Sequence, residues 1–224
     1  MMDAKDWYAR LRRITETMAE NIEKAPEELT EEDVDMCSRY LNARGFLTVK
    51  DSDAQNAHRA LARRIAEHIH GTARKGLWLW GLPGRGKSRY LELFCTDIIP
   101  RCPVMSAMDV YSTYQTLGIP GVVGNLYQEY AYDVAPDGYH AMGIDDVGIE
   151  PLGRRYGEVL EVMAVVIDER YRHWQRRGYA GMTIFTSNLS PLDVRERYGV
   201  RSASRLAEMC ESIELTGPDW RLAL

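Results

Sequence analysis

Cysteine is scarce and scattered. Cys37, Cys95, Cys102 and Cys210 form no C-x-x-C pair, which argues against a zinc knuckle or a disulfide framework and predicts reduced, mostly buried thiols. Long apolar runs are also missing. No stretch reaches about 18 uninterrupted apolar residues, the length a membrane helix needs. The N-terminus, with Asp3, Lys5, Asp6 and Arg10 around Trp7, lacks the apolar centre of a signal peptide, so the expectation is a cytoplasmic protein with no membrane contact. An excess of positive charge is lacking as well. With 28 Lys and Arg against 33 Asp and Glu, the formal charge of −5 excludes coating of DNA through the overall field and confines any nucleic-acid contact to a local basic strip. There is no internal repeat or low-complexity tract.

What remains is an ordinary globular composition, 45% hydrophobic and 27% charged. The 224 residues suffice for one sizeable core with a small appendage. Trp7, Leu11, Ile14, Met18 and Ile22 recur at helical spacing on one face, opposite Arg10, Arg12, Arg13, Glu16 and Glu20, until Pro26 interrupts. Thr30 and Asp33 form a capping arrangement for a second helix through Val34, Cys37 and Leu41, ending near Gly45. Ser52 and Gln55 open a third, through Ala54, Ala57, Leu61, Ile65 and Ile69 to Gly71. The expected division is a helical region over residues 1–50 and a main domain over 51–224.

Beyond residue 76 the texture changes to short apolar runs alternating with helical stretches, the pattern of an α/β domain with a parallel sheet. Five strands are predicted, at 77–80, 104–107, 139–144, 182–186 and 212–215, with a clear helix over 158–177 before the fourth. Trp78 and Trp80 alternate with Leu77 and Leu79 in the first strand and are expected in the core.

The run Gly81-Leu82-Pro83-Gly84-Arg85-Gly86-Lys87-Ser88 follows the first strand and opens a helical pattern of Tyr90, Leu91, Leu93 and Phe94. A phosphate chain needs many donors in a small volume. Backbone N–H groups supply them where Gly81, Gly84 and Gly86 leave the approach clear, and the helix N-terminus adds partial positive charge. Lys87 can reach the β and γ phosphates and the Ser88 hydroxyl can ligate magnesium, so the run reads as a P-loop for ATP and Mg2+. Arg85 and Arg89 add positive charge beside the phosphates with no assigned role, and a solvated position would serve them equally well. Met142-Gly143-Ile144-Asp145-Asp146 ends an apolar strand in two carboxylates and looks like a Walker B segment. Asp145 would hold the metal through water and Asp146 would polarise the attacking water; two adjacent acids that merely begin a loop are the simpler alternative, made costly by the missing counter-charge.

Together with Phe185-Thr186-Ser187-Asn188 and Ser202-Ala203-Ser204-Arg205-Leu206, the segment Ile144-Asp145-Asp146-Val147-Gly148 resembles the AAA+ ATPases, specifically the DnaC/DnaI helicase loaders and the related IstB transposition helpers, over residues 77–224. The resemblance implies a P-loop AAA+ core with a five-stranded parallel sheet flanked by helices, plus a small N-terminal helical region. It implies that Asn188 is the sensor 1 amide, and that Arg205, or alternatively Arg201, is an arginine finger reaching the ATP of an adjacent subunit. A surface ion pair with Glu196, Glu208 or Glu211 is the plainer role for either arginine. Asp146 stands where most AAA+ proteins have Glu, which implies slow turnover, and Glu150 is a substitute acid by its position. No separate helical lid is expected after the last strand, and Arg221 is a candidate late nucleotide or interface contact.

The loader resemblance further implies an ATP-dependent oligomer, a grip on single-stranded DNA and a replicative helicase held through the N-terminal region, for which residues 1–50 are the candidate arm; simple packing on the ATPase core is the alternative. Arg170, Arg172, Arg176 and Arg177 with Tyr171 or Trp174 are candidate DNA contacts, although a solvated helix face explains them as well. The segment 118–137, with Tyr127, Tyr130 and Tyr132, falls where loaders carry an extra helix near DNA, or packs its aromatics on the core. His58, His68 and His70 form no metal set and are expected at the surface. An IstB-like transposition helper or a non-hydrolysing nucleotide-binding adaptor remains as competing function, since fold and ATP chemistry do not decide the partner. Lys87→Ala is expected to abolish tight ATP binding, and Asp146→Asn to spare binding while stopping multiple-turnover phosphate release; a nucleotide titration and a phosphate assay on the two variants check both.

Overall fold

The computed structural model describes residues 29–46, 52–99, 102–128, 141–219 and 221. The amphipathic pattern from Trp7 to Ile22, and Tyr130 and Tyr132, lie outside them. Helix α1 (Glu31–Ala43) starts where the capping pattern placed it: Thr30 Oγ1 accepts the Asp33 N–H at 3.3 Å, and the Asp33 carboxylate accepts the Thr30 N–H at 2.9 Å. Its buried side chains Val34, Cys37, Tyr40 and Leu41 share one apolar cluster with Leu61 and Ile65 of α2 (Ser52–Ile69). Arg59 of α2 clamps Glu31 and Asp35 at 2.6 and 2.9 Å on the exposed side of the same contact. Residues 31–43 are therefore packed on the core, as the plainer alternative for this region had it.

The main sheet contains β1 (Gly76–Trp80), β2 (Val104–Ser106), β3 (Met142–Val147), β6 (Thr183–Ser187) and β7 (Cys210–Glu214), in the order β2-β3-β6-β1-β7, with every pairing parallel. Right-handed crossovers in a parallel sheet require helices between strands, and these cover both faces. On one face α2 and α3 (Lys87–Leu93, continued by a π-helical turn Phe94–Ile98) bury Leu77, Leu79, Ile184 and Ile213. On the other, α4 (Ala107–Gln128), α5 (Val162–Arg177) and α6 (Pro191–Met209) bury Trp78, Ile144 and Phe185. The period-2 alternation of β1 divides its side chains between the two clusters, so Trp78 is a core residue and Trp80 packs against the same cluster, partly buried.

Three expectations are corrected. The helix expected from residue 158 begins at Val162; residues 158–160 are instead strand β5 (Glu158–Leu160), paired antiparallel with β4 (Gly153–Arg155). Tyr156 and Gly157 join them with φ of 51° and 86°, the two positive angles a tight hairpin turn needs, which a count of helical periodicity cannot register. The strand ending in the acid pair runs on to Val147 and carries both acids inside it. His58 and His68 are buried, not superficial. His58 bridges Ser38 Oγ at 3.1 Å and Tyr90 OH at 3.3 Å, tying α1 to α3, and burial lowers the pKa of His68 to about 4, which keeps its imidazole neutral. All four cysteines are buried and free, and among the described residues no helix is long and apolar enough to cross a membrane.

Because α1 shares the main core, Leu41→Ala, at a fully buried position, should lower the stability of the whole domain by about 2–5 kcal/mol, read as a shifted denaturation midpoint of one cooperative transition.

Candidate nucleotide site

The sheet order determines what meets what. Strand β6 lies between β1, which leads into the glycine-rich run, and β3, which carries the acid pair, and Ser187 at its end is paired with Trp80 on one side and Val147 on the other. Asn188, the next residue, is thereby delivered between the two.

Gly86 caps α3 with φ 82° and ψ 13°, a left-handed conformation that glycine adopts without strain. Lys87, the first residue of that helix, is 6% exposed. Its Nζ donates to Gly81 O at 2.8 Å, Leu82 O at 2.9 Å and Asn188 Oδ1 at 2.8 Å. Burial lowers the Lys87 pKa, the Asp146 carboxylate pulls it back up, and Arg221, Asp145 and Arg85 contribute after that, so the ammonium lies within electrostatic reach of both acids. Leu82 stands 65% exposed at the loop tip, and Pro83, Arg85 and Ser88 complete the run on the same turn and the start of α3. At Gly84 a side chain would collide with the Asp219 carboxylate, 1.9 Å from where a Cβ would stand, so residues after β7 cross this loop. Asp219 also accepts the Arg221 N–H at 2.9 Å.

Asp145 and Asp146 sit where the pairing of β3 with β6 shifts register between Ile144 and Val147, and Asp146 takes φ 55°. Thr186, fully buried on β6, holds both: its hydroxyl donates to Asp145 Oδ1 and accepts the Asp146 N–H at 2.9 Å. Burial raises the Asp146 pKa first and the neighbouring Asp145 second, with Lys87 and Arg221 opposing. The role of Thr186 escaped sequence reasoning; its hydroxyl, directly before Ser187-Asn188 and level with the acid pair of the neighbouring strand, was the available signal.

Several candidates stand elsewhere. Arg89 is drawn away from the glycine-rich loop: its guanidinium donates to Arg44 O at 2.6 Å and Gly45 O at 3.2 Å and lies over the Phe46 ring, so it serves the end of α1. Glu150 is 2% exposed, with its carboxylate bonded to the Gly148 N–H, Arg197 and Tyr198, and is not a spare acid facing the loop. Arg205 and Arg201 follow the break in α6 at Gly199; both turn toward Asp168 of α5 and not toward Glu196, Glu208 or Glu211. Arg205 pairs closely with Asp168 and lies 5.0 Å over the Tyr171 ring, whereas the Arg201 side chain is 72% exposed and 3.4 Å from that carboxylate. Arg170 is withdrawn as a DNA contact: it is fully buried, and it donates to Thr183 Oγ1 at 2.7 Å and to the Gly181 and Met182 carbonyls at 3.1 Å. Arg172 pairs with Asp168 and Glu169, while Arg176 and Arg177 are exposed at the end of α5. Tyr171 OH donates to Glu208 at 2.8 Å and Trp174 Nε1 to Arg74 O at 3.2 Å, so both rings pack against the body. The unforeseen feature is the β4–β5 hairpin, whose tip presents Tyr156 at 92% exposure beside exposed Arg154.

Fold and site define a class: an α/β protein of five parallel strands flanked by helices, with a glycine-rich turn between β1 and α3. Among solved structures the chain is similar to the DnaC helicase loader, with a TM-score of 0.50 and 19% identity over 80% of this chain and 99% of that one. It is also similar to domain III of the Thermotoga maritima replication initiation protein DnaA, with a TM-score of 0.49 and 16% identity over 78% and 67% of the respective chains. At such identities the likeness speaks for the fold. No protein-family model matches the chain, and no curated protein does.

The raised pKa of Asp146 has a sign that can be tested. A carboxylate whose folded pKa lies above its unfolded value favours folding when protonated and loses that advantage as pH rises through the folded pKa. In the absence of nucleotide and metal, Asp146→Asn should therefore raise the unfolding midpoint at neutral pH, and the gain should vanish below the ordinary carboxylate range.

Proposed function

We propose that this chain binds ATP with Mg2+ and hydrolyses it slowly, as a loader of a replicative helicase in DNA replication. The observation that carries the reading is the Lys87–Asn188 contact at 2.8 Å within electrostatic reach of Asp145 and Asp146. A positive ammonium, an amide and two carboxylates converging at the end of a glycine-rich turn suit a metal-bound triphosphate. Residues Gly81, Leu82, Pro83, Gly84, Arg85, Gly86, Lys87 and Ser88 would cradle the phosphates, with Ser88 Oγ and Asp145 holding the metal. Bound magnesium would neutralise charge on the phosphate oxygens. Asp146 would take the proton of the attacking water and Asn188 would hold that water in line. The burial of Lys87 leaves an ammonium whose present partners are neutral dipoles, so an anion gains by entering.

By this reading the arginine finger is supplied by a neighbouring subunit, and the chain would act as an oligomer. Arg201 can extend outward by giving up only a 3.4 Å contact, whereas Arg205 would have to leave both Asp168 and the Tyr171 ring. Single-stranded DNA would be met by Tyr156 with Arg154, and by Arg176 and Arg177, because a base can stack on an exposed ring for roughly 1–3 kcal/mol while guanidinium groups hold phosphate. The likeness to the DnaC helicase loader over 99% of that chain favours the loader reading. Since α1 is part of the core, the partner-binding role assigned to residues 1–50 falls on those before residue 29. The working compartment would be the cytoplasm.

The expected results are a turnover per subunit that rises steeply with protein concentration, and association with the cognate helicase in ATP, followed by native mass measurement, that is lost when residues 1–28 are removed. A per-subunit rate independent of concentration and indifferent to Arg201→Ala and Arg205→Ala would overturn the shared site. Equal helicase association with and without residues 1–28 would overturn the arm.

A further inference from the structure

A buried acid that faces no phosphate loop stands four residues after the acid pair. The Glu150 side chain has no solvent exposure, and both of its carboxylate oxygens accept from donors. Oε2 accepts the Gly148 N–H at 2.8 Å; Oε1 accepts Arg197 Nη2 at 3.1 Å and the Tyr198 hydroxyl. The Arg197 guanidinium is used on several sides as well. It donates to the carbonyls of Gly148 and Glu150, faces Glu161 Oε1 at 3.6 Å, and lies 5.2 Å from the centre of the Tyr198 ring. A planar fork with five donors is suited to gripping two carbonyls and a carboxylate at once.

What is gripped is the turn that leaves the acid pair. Asp146 O accepts the Ile149 N–H at 3.3 Å, Gly148 takes φ 108°, and Ser187 Oγ donates to Val147 O, so residues 146–150 form a compact loop between Asp146 and the clasp. Asp146 itself is in the left-handed region at φ 55°, which Asp adopts more readily than most residues with a side chain and which its surroundings hold here. Thr186 fixes the Asp146 N–H from one side. The clasp fixes the chain on the other.

We propose that Glu150, Arg197 and Tyr198 are positioning residues that set the angle of the Asp146 carboxylate, and so govern the rate of hydrolysis without governing the affinity for ATP. The inference rests on the ATPase reading above. Its physical basis is that nucleotide affinity comes from the glycine-rich turn and Lys87, on β1 and α3, whereas the clasp joins the end of β3 to α6. A small displacement of a group that orients water costs rate far more than it costs binding. Arg197 lies just before the break at Gly199 and both candidate fingers lie after it, so the clasp joins the acid pair to the segment that leads into them.

The experiment measures ATP affinity and the maximal hydrolysis rate of the full chain and of Glu150→Gln and Tyr198→Phe. An amide at 150 turns a donor toward a donor in either orientation, so Glu150→Gln should lower kcat by about tenfold or more, with ATP affinity kept within about twofold. Tyr198→Phe leaves the carboxylate in place and should lower kcat by a smaller factor, again with affinity kept; should Glu150→Gln fail to fold, this variant decides. A normal rate in Tyr198→Phe would overturn positioning and leave any effect of Glu150→Gln to direct chemistry. A parallel loss of affinity in both would reduce the clasp to general support and overturn the proposal. No hydrolysis by the parent chain at any concentration would instead overturn the ATPase reading, and the clasp with it.

Discussion

A lysine ammonium held almost wholly out of water by two backbone carbonyls and one amide is the constraint on which this molecule turns. Lys87 is the first residue of its helix, its carbonyl partners come from the loop just before, and its amide partner comes from a strand a hundred residues further on. Such a charge is tolerable only if every neighbour is placed to within hydrogen-bond distance, because dipoles off by an ångström would leave it unpaired in a poorly polarisable interior. The left-handed Gly86, the position of β6 between β1 and β3, and the register that puts Ser187 beside both Trp80 and Val147 all serve that requirement.

The acid side of the site follows a complementary logic. Two adjacent carboxylates repel each other, and the fold keeps them together by spending backbone regularity: the register shift in β3, the positive φ of Asp146 and the buried Thr186 hydroxyl that serves one acid and one amide. Beyond them the chain is caught again by Glu150, Arg197 and Tyr198. The site is thus braced from three strands and two helices, which is how a rigid scaffold holds charged groups at an angle that local sequence does not favour.

Much of this was legible in the sequence where a residue's role depends on its immediate neighbours. The glycine-rich run between an apolar strand and an amphipathic helix and the cap at Thr30 and Asp33 are local patterns, and each lies in the element expected for it; the acid pair belongs to the expected strand but sits inside it, not at its end. The hairpin over residues 153–160 was misread because periodicity counts side chains and does not see the backbone angles of Tyr156 and Gly157. Arg170, His58 and His68 were placed outside because polar residues usually are; a fully paired guanidinium and an imidazole bridging two helices are exceptions that depend on partners distant in the chain. Arg89 was misjudged for a related reason. Adjacent to Ser88 in sequence, it turns about the helix to the opposite side and caps the carbonyls that end α1.

The sequence by itself determined the α/β class, the glycine-rich turn with its strand and helix, the acid pair and the capped helices, because these depend on side-chain type and spacing within a few residues. Only the tertiary structure decided that Asn188 reaches Lys87, that Thr186 holds both acids, that Glu150 is locked into a clasp, and that Arg201 stands outward while Arg205 is paired. Those facts depend on segments distant in the chain, brought together by the order of strands in the sheet and by helices packed on both of its faces, which no short stretch of chain contains.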